Sequence, residues 1–381
     1  MRRLIVSLSG GIDSSIIFVI LNDLNKKENE KIDLNPFIVK YQNNKTFDAA
    51  VELSAYFKKK PIIIKYDEES FDNFSDKLSA IEISEPYFSQ LEIYKAQKEK
   101  GFKVSVDGHG ADECLGGYKQ DIENFGIYFQ NSIVDLYQAI TNLDGAETLK
   151  KTINRLNLIP NLHGFEIDLK KVFLKKTQRN EYVESEELDL IPQCLDDDLK
   201  ELKNYNFPLQ VMYLNSIYGH LPWLLNKWDK ASMASSVEIR SPFLDWRFFQ
   251  YALALPAELK IKDGQNKSIL RETFKDTLPK SVLEKKFKQG LPLVNFKSNS
   301  KALEIINQAL TQSDFLESNI WDSKKIVSDF SNIETRSKKF SQIWKIVGTY
   351  FLTKGFVKRK EDLKLSNQKA EVSYNRLTIS N

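Results

Sequence analysis

The chain has 381 residues, 41 % of them hydrophobic, enough for a sizeable buried core in one large domain or two medium ones. Its 55 basic and 52 acidic side chains leave a net charge of +3, which gives no electrostatic case for a nucleic-acid partner. Two cysteines, Cys114 and Cys194, are too few for a disulfide framework or a cysteine-based zinc site, and no apolar run has the length of a membrane span or the form of a secretion signal, so the reading is a soluble cytoplasmic chain with no membrane partner.

The first apolar stretch, Leu4, Ile5 and Val6, reads as a β-strand, Ser9, Gly10 and Gly11 as a turn, and Ile12 to Leu24 as an amphipathic helix whose N-terminus faces any anion held in the turn. A Walker A loop needs a Lys followed by Ser or Thr after its second glycine, but here Gly11 is followed by Ile12, Asp13, Ser14 and Ser15. A carboxylate beside phosphates repels them unless a divalent cation lies between. Asp13 is therefore a candidate Mg²⁺ ligand on a pyrophosphate unit, with Ser9, Ser14 and Ser15 donating hydroxyls to phosphate oxygens and Gly10 and Gly11 shaping the backbone cradle. A plain strand-to-helix turn capped by Asp and Ser would use the same residue types.

Residues 36–41 (PFIVKY) read as a second strand, 47–58 as a helix, 61–66 (PIIIKY) as a third strand, 88–100 as a helix and 103–108 (KVSVDG) as a fourth strand. This alternation predicts an α/β fold, an open parallel sheet covered by helices with ligands at the carboxyl ends of the strands. From Tyr118 the strand signals fade, and residues 119–355 read as mainly helical. The acidic run 181–202 reads as a solvated surface loop with short helices, and 356–381 as a polar, lysine-rich, loosely held tail. No internal repeat is present.

Three further segments carry chemistry. Residues 106–118 (VDGHGADECLGGY) follow a predicted strand and place Asp112 and Glu113 after closely spaced small residues, where a second carboxylate reaches the first loop. Residues 224–256 set Asp229, Lys230, Glu238, Arg240 and Asp245 among apolar positions, and 286–292 (KFKQGLP) carries Lys288 before Gly290. Asp112 could equally cap a helix, and Lys288 could be one more surface lysine. Glu238, Arg240 and Asp245 read as structural, with Arg240 and Glu238 as a candidate buried pair, and Pro242, Phe243 and Leu244 as packing residues.

These four segments, in this order, resemble the synthetase domain of the asparagine synthetase family. SGGIDSS at 9–15 matches the pattern SGGxDSS, DGHGADECLGGY at 107–118 is similar to SGEGADELFGGY, Asp229 through Asp245 corresponds to DRxSMAxSVExRxPFLD with Lys230 replacing Arg, and Lys286 through Leu291 resembles RPKQGF. The resemblance runs from about residue 3 to about residue 350. It implies the adenine nucleotide α hydrolase-like (PP-loop) topology in one synthetase domain, residues 1–355, whose 1–118 core is completed by 119–355. It also implies an ATP-dependent ligase: a small substrate carboxylate attacks the α-phosphate, pyrophosphate leaves, and ammonia or an amine displaces AMP to give an amide. Asp13 and Asp112 then match the family's two Mg²⁺-associated carboxylates, Lys288 its catalytic lysine, and Asp107 and Gly108 join the first loop in holding the nucleotide.

His109 departs from the pattern, standing where asparagine synthetases carry Glu and β-lactam-forming relatives carry Tyr. A neutral imidazole could accept the proton of the attacking nitrogen, or could only hydrogen-bond the AMP phosphate or a backbone group. His163 and His220 read as structural. The family's glutamine-dependent members begin with an amidohydrolase domain, for which a loop starting at Ser9 leaves no room. The expected nitrogen source is free ammonia, ammonia from a separate glutaminase subunit, or an amine. A tailoring ligase acting on a sugar uronate or peptide carboxylate is the alternative. More remote are a PP-loop enzyme modifying tRNA, which would call for a basic surface, and a non-catalytic partner, against which Asp13, Asp112 and Lys288 stand.

Overall fold

The N-terminal apolar run forms β1 (Arg2–Ser7), whose Ile5 and Val6 are both buried and point to opposite faces, as a strand covered on both sides requires. The computed structural model describes residues 2–27, 32–41, 44, 46–66, 71–85, 88–118, 121, 182, 193–285 and 299–379. After β1 come α1 (Ile12–Lys27), β2 (Ile32–Lys40), α2 (Phe47–Tyr56), β3 (Ile62–Lys65), α3 (Phe74–Ile81), α4 (Phe88–Glu99), β4 (Val104–Val106) and the short α5 (Ala111–Leu115). Then follow α6 (Gln193–Leu202), α7 (Phe207–Ile217), α8 (His220–Ala234), β5 (Glu238–Arg240), α9 (Trp246–Ala254), α10 (Ala257–Lys260), the ribbon β6 (Ile261–Lys262) and β7 (Gln265–Asn266), α11 (Ser268–Thr273) and α12 (Lys280–Leu283). The described chain closes with α13 (Ser300–Leu310), α14 (Ser313–Leu316), α15 (Ser323–Ser331) and α16 (Ile333–Ile379).

The main sheet is wholly parallel, in the order β3-β2-β1-β4-β5. The expected α/β architecture is present, with one addition. Glu238–Arg240, inside a stretch read as mainly helical, joins β4 as the fifth strand, Val106 opposite Arg240. Three residues are too few to show strand periodicity, so pairing with β4 makes the strand. The chain leaves β1 for β2 on one side and returns to β4 on the other. The loops after β1 and β4 therefore meet at a topological switch point, the crevice such sheets offer to ligands. One face is packed by Val6, Leu8, Ile16, Phe18, Ala111 and Phe243, the other by Ile5, Phe37, Ile93 and Phe102.

The chain divides into two compact units: 1–67, 93–178 and 189–292 form one, and 68–92, 179–188 and 293–381 the other. The division interleaves along the chain, unlike the sequential core and helical part read from the sequence. In the second unit, Phe71, Phe74, Phe88, Trp344 and Phe351 form an aromatic cluster. The helix α16 passes through the expected tail boundary at 356 without a break and runs for 47 residues. Past Gly355 there is neither Gly nor Pro, and Lys, Glu, Leu, Gln and Ala favour helix even where apolar periodicity is weak. The start of this stretch is tied down: Lys358 Nζ lies 2.7 Å from Asp76 Oδ2, and Arg359 donates to the Ser79 carbonyl at 2.5 Å. Among the described residues no helix is long and apolar enough to cross a membrane.

A Cβ at Gly355 would meet the Ser75 carbonyl oxygen, with Ser79 Cβ only 2.7 Å away. Gly355→Leu should force α16 off α3 and cost about 1–3 kcal/mol. A urea midpoint unchanged from the parent would show that this approach is not needed.

Candidate active site

At the end of β1 the chain must turn sharply beneath α2, and only glycine fits. Gly10 has φ +76°, and a Cβ there would strike the Thr46 carbonyl. Serine hydroxyls knit the turn: Ser9 and Ser14 Oγ are 3.0 Å apart, Ser14 Oγ accepts from Ser9 N–H at 3.1 Å, and Ser9 Oγ accepts from Gly11 N–H at 3.2 Å. Ser15, expected among the phosphate donors, is fully buried on the covered face of α1, and its N–H bonds the Gly11 carbonyl at 3.2 Å. The structure does not bring its hydroxyl into the cradle, because the helical period turns position 15 inward.

The second loop leaves β4 alongside the first. A Cβ at Gly108 would lie 2.9 Å from Ser14 N and 3.0 Å from Asp13 Cβ, so glycine is what lets the two loops touch. Gly110 (φ +98°) lies against Leu244 and the Phe243 backbone, which gives the predicted packing segment its task. The α5 turn then carries Asp112 inward, buried with its side chain 3 % exposed.

Asp13 and Asp112 do come together, and the group between them is one the sequence reading missed. Lys267 Nζ is 2.6 Å from both oxygens of Asp13 and 2.5 Å from Asp112 Oδ1. Burial works against the charged ammonium, but Asp112 and Asp13 outweigh it and raise the Lys267 pKa above the ordinary lysine value. Lys267 is held in place from β7 and α11. Asn266 donates to the Gly117 carbonyl at 2.9 Å, and the buried Arg271 donates to the Asn266 carbonyl at 2.7 Å and its side-chain oxygen at 2.8 Å. Arg271 also donates to the carbonyls of Leu283 and Lys285, tying down the root of the fourth segment, whose Lys288 lies outside the described residues. Nothing local distinguishes Lys267 among 55 basic residues except its spacing to Arg271 on a short helix.

Around this centre, Tyr118 donates to Glu113 Oε1 at 2.5 Å, and burial pushes the nearby Asp121 up to about 7 despite the hydrogen bond it accepts from Tyr118 N–H. Burial also pushes the Cys114 thiol up to about 12, which removes it as a nucleophile at neutral pH. Asp107, assigned to the nucleotide from the sequence, turns into the interior instead. Its carboxylate accepts from Tyr94 OH at 2.9 Å and Ser105 Oγ at 2.5 Å. His109 lies flat on Trp228 of α8, ring centroids 3.6 Å apart, with Nδ1 3.9 Å from Asp107 Oδ2. Arg240 and Glu238 do pair, at 2.6 Å, but on the surface rather than in the core, because β5 is an edge strand. Asp245 caps α9, accepting from Arg247 N–H, and the Arg247 guanidinium holds its carboxyl down at about 2. His220 packs edge-on to Tyr118 and beside Trp223, as a structural histidine would, whereas His163 lies outside the described residues.

Three carboxylate oxygens from two loops thus converge on one point. Hard oxygen donors of this kind suit Mg²⁺, which characteristically takes one or two protein carboxylates and completes its shell with substrate phosphates. Among the described residues no group of three or more His, Cys, Asp or Glu side chains could hold a metal ion, and the two carboxylates match in number the one or two protein ligands that Mg²⁺ on a phosphate chain takes.

The family model described as asparagine synthase matches residues 2–354. The chain is 27 % identical over 292 residues to the glutamine-hydrolyzing asparagine synthetase 3 of Bacillus subtilis (strain 168), covering 71 % of this chain and 42 % of that protein. It is 26 % identical over 284 residues to the glutamine-hydrolyzing asparagine synthetase of Gallus gallus, covering 72 % of this chain and 36 % of that one. It therefore spans about two fifths of the length of these relatives. Among solved structures, the U34-tRNA thiolase NcsA from Methanococcus maripaludis with its 4Fe-4S cluster aligns over 76 % of this chain and 84 % of that chain, at 13 % identity and a TM-score of 0.23, a likeness too slight to inform on fold or activity.

Lys267→Met would leave two buried carboxylates facing each other without a counter-charge, and should destabilise the fold by about 3–5 kcal/mol in chemical denaturation. Adding Asp13→Asn should recover part of that loss. If the single variant unfolds like the parent, the ammonium is not what holds the loops together.

Proposed function

The chain belongs to the asparagine synthase family, and on that premise we propose that it is an ATP-dependent ligase that adenylates a small carboxylate and passes the acyl group to ammonia or an amine. The observation that carries this reading is the meeting of the two motif loops at the switch point, with Asp13, Asp112 and Lys267 on one centre. In the proposed reaction the substrate carboxylate attacks the α-phosphate of ATP, pyrophosphate leaves, and nitrogen then displaces AMP.

Each group has work in that scheme. The Ser9–Gly11 turn and the start of α1 receive the pyrophosphate, and the mutual bonds of Ser9 and Ser14 set its width. Asp13 and Asp112 would hold Mg²⁺, which when bound neutralises charge building on the leaving pyrophosphate. In that arrangement Lys267 would offer its ammonium to a phosphate oxygen. Lys288 is the proposed fixed cation near the α-phosphate, three residues after Lys285, whose carbonyl accepts from Arg271. His109 is the proposed acceptor of the nucleophile's proton. Aspartate or another small carboxylate is the proposed acceptor, with a sugar uronate or peptide carboxylate as the alternative.

Pyrophosphate release and ATP–pyrophosphate exchange across candidate acids, with ammonium and then glutamine as donor, test the proposal. Exchange with at least one acid is expected, falling roughly 10²–10³-fold in Asp13→Asn and in Lys288→Ala. ATP cleavage between the β and γ phosphates, or activity indifferent to both substitutions, would overturn it.

A further inference from the structure

Asp107 and His109 stand two residues apart on the loop between Val106 and α5, on either side of the Gly108 that packs against Ser14 and Asp13. The Asp107 carboxylate is buried, 4 % exposed, and both its oxygens already accept hydrogen bonds, one from Tyr94 OH of α4 and one from Ser105 Oγ of β4. Behind Ser105 the donors line up in one direction. Gln97 of α4 donates to Ser7 Oγ at 3.1 Å, which leaves the Ser7 hydroxyl proton for Ser105 Oγ, 3.0 Å away, and the Ser105 proton for Asp107. Both carboxylate oxygens of Asp107 thus stand at the receiving end of a donor. Burial, and then Asp107 itself, drive the Tyr94 phenol well above its ordinary value, so Tyr94 keeps the proton it donates.

A negative phosphate gains nothing from this carboxylate, but an imidazole does. His109 Nδ1 is 3.9 Å from Asp107 Oδ2, outside direct hydrogen-bond length and inside the range where the carboxylate acts electrostatically on the ring. The ring cannot swing freely, because it is stacked on Trp228 with an interplanar angle of 13°. Asp107, on the same loop, is the charged group that faces His109, and Tyr94 of α4 donates to the same carboxylate oxygen; Asp13 of α1 packs against Gly108, and Asp229 and Lys230 follow Trp228 in α8. The 3-10 turn at Pro242–Leu244 contributes only apolar contact, to Gly110.

We propose that Asp107 is a positioning residue for His109, the two forming a carboxylate–imidazole dyad held against the Trp228 ring and serving nitrogen transfer rather than adenylation. This rests on the ligase reading given above. In the step it serves, the lone pair of the incoming nitrogen forms the C–N bond to the acyl-adenylate carbon. One N–H proton passes to the imidazole, and the C–O bond to AMP breaks with its electron pair leaving on the phosphate oxygen. Asp107 stabilises the imidazolium so formed and takes no proton itself.

The sign of the pH effect follows. In the proposed dyad a carboxylate 3.9 Å away favours the charged imidazole, and a general base works only when neutral, so nitrogen transfer should rise with pH as His109 loses its proton. Asp107→Asn removes the charge and keeps the shape. The acid limb of amide formation, and the His109 pKa read by imidazole ¹⁵N NMR of the intact nucleotide-free protein, should both move down by about one pH unit. The His109 signal is identified by its loss in His109→Gln. The fall in amide formation should exceed the fall in ATP–pyrophosphate exchange by roughly tenfold or more. Tyr94→Phe removes one donor from Asp107, strengthens its field at the ring, and should move the His109 pKa upward. This second variant serves should Asp107→Asn fail to fold. A His109 pKa unmoved in both variants, or exchange lost in step with amide formation, overturns the dyad. Absence of exchange in the parent with every acid offered overturns the ligase reading instead, while the NMR shifts still report on the pair.

Discussion

The contact on which the site depends is the buried ammonium of Lys267 between Asp13 and Asp112. A parallel sheet brings the loops after β1 and β4 to one crevice, and each loop delivers a carboxylate there. Two carboxylates in a shared buried space repel each other and lose hydration, so one of them would take up a proton unless a cation joined them. Lys267, with its side chain 3 % exposed, is that cation. It lies in the left-handed region at φ +52°, an uncommon place for a residue other than glycine, and the Asn266–Arg271 bonds keep it there.

The glycines and the short strand follow from the same constraint. Asp13 reaches Lys267 only if the loops touch, which Gly108 permits by leaving room for Ser14 N and Asp13 Cβ. The second loop must then be pressed from the far side, and Leu244 does so against Gly110. Leu244 is placed there because β5 registers Arg240 opposite Val106, and Asp107 N–H continues that pairing to the Arg240 carbonyl at 2.9 Å. A stretch of sequence with no chemistry of its own thus sets the distance between two carboxylates.

What was legible in the sequence was local. The strand–turn–helix at residues 4–24 and the carboxylates Asp13 and Asp112 each announce themselves within a dozen residues, through periodicity, glycine placement and charge. What escaped was long-range or too short to carry a pattern. Lys267 pairs with a residue 254 positions away, and no property of a lysine signals so distant a partner. The strand β5 exists because β4 offers it an edge, and α16 continues past 356 because helix-forming residues persist after the apolar pattern weakens. Ser15 and Asp107 lie deeper than their motifs suggest for a common reason: a motif gives residue types, while the period of the helix and the donors behind the strand decide which way a side chain turns.

The three aspartates of the crevice show how environment divides one chemistry into two. Asp13 and Asp112 face a buried ammonium. Asp107 faces Tyr94 and Ser105, neutral donors fixed in α4 and in the sheet. In the proposed dyad this carboxylate, 3.9 Å from the imidazole, acts on the ring rather than on a ligand. The residue pattern DGHG carries both members of that arrangement in four positions, and the flat stack on Trp228 completes it from α8. The departure at position 109 is therefore matched to its surroundings: an imidazole there has a buried anion behind it and an aromatic wall beside it, both supplied by this chain.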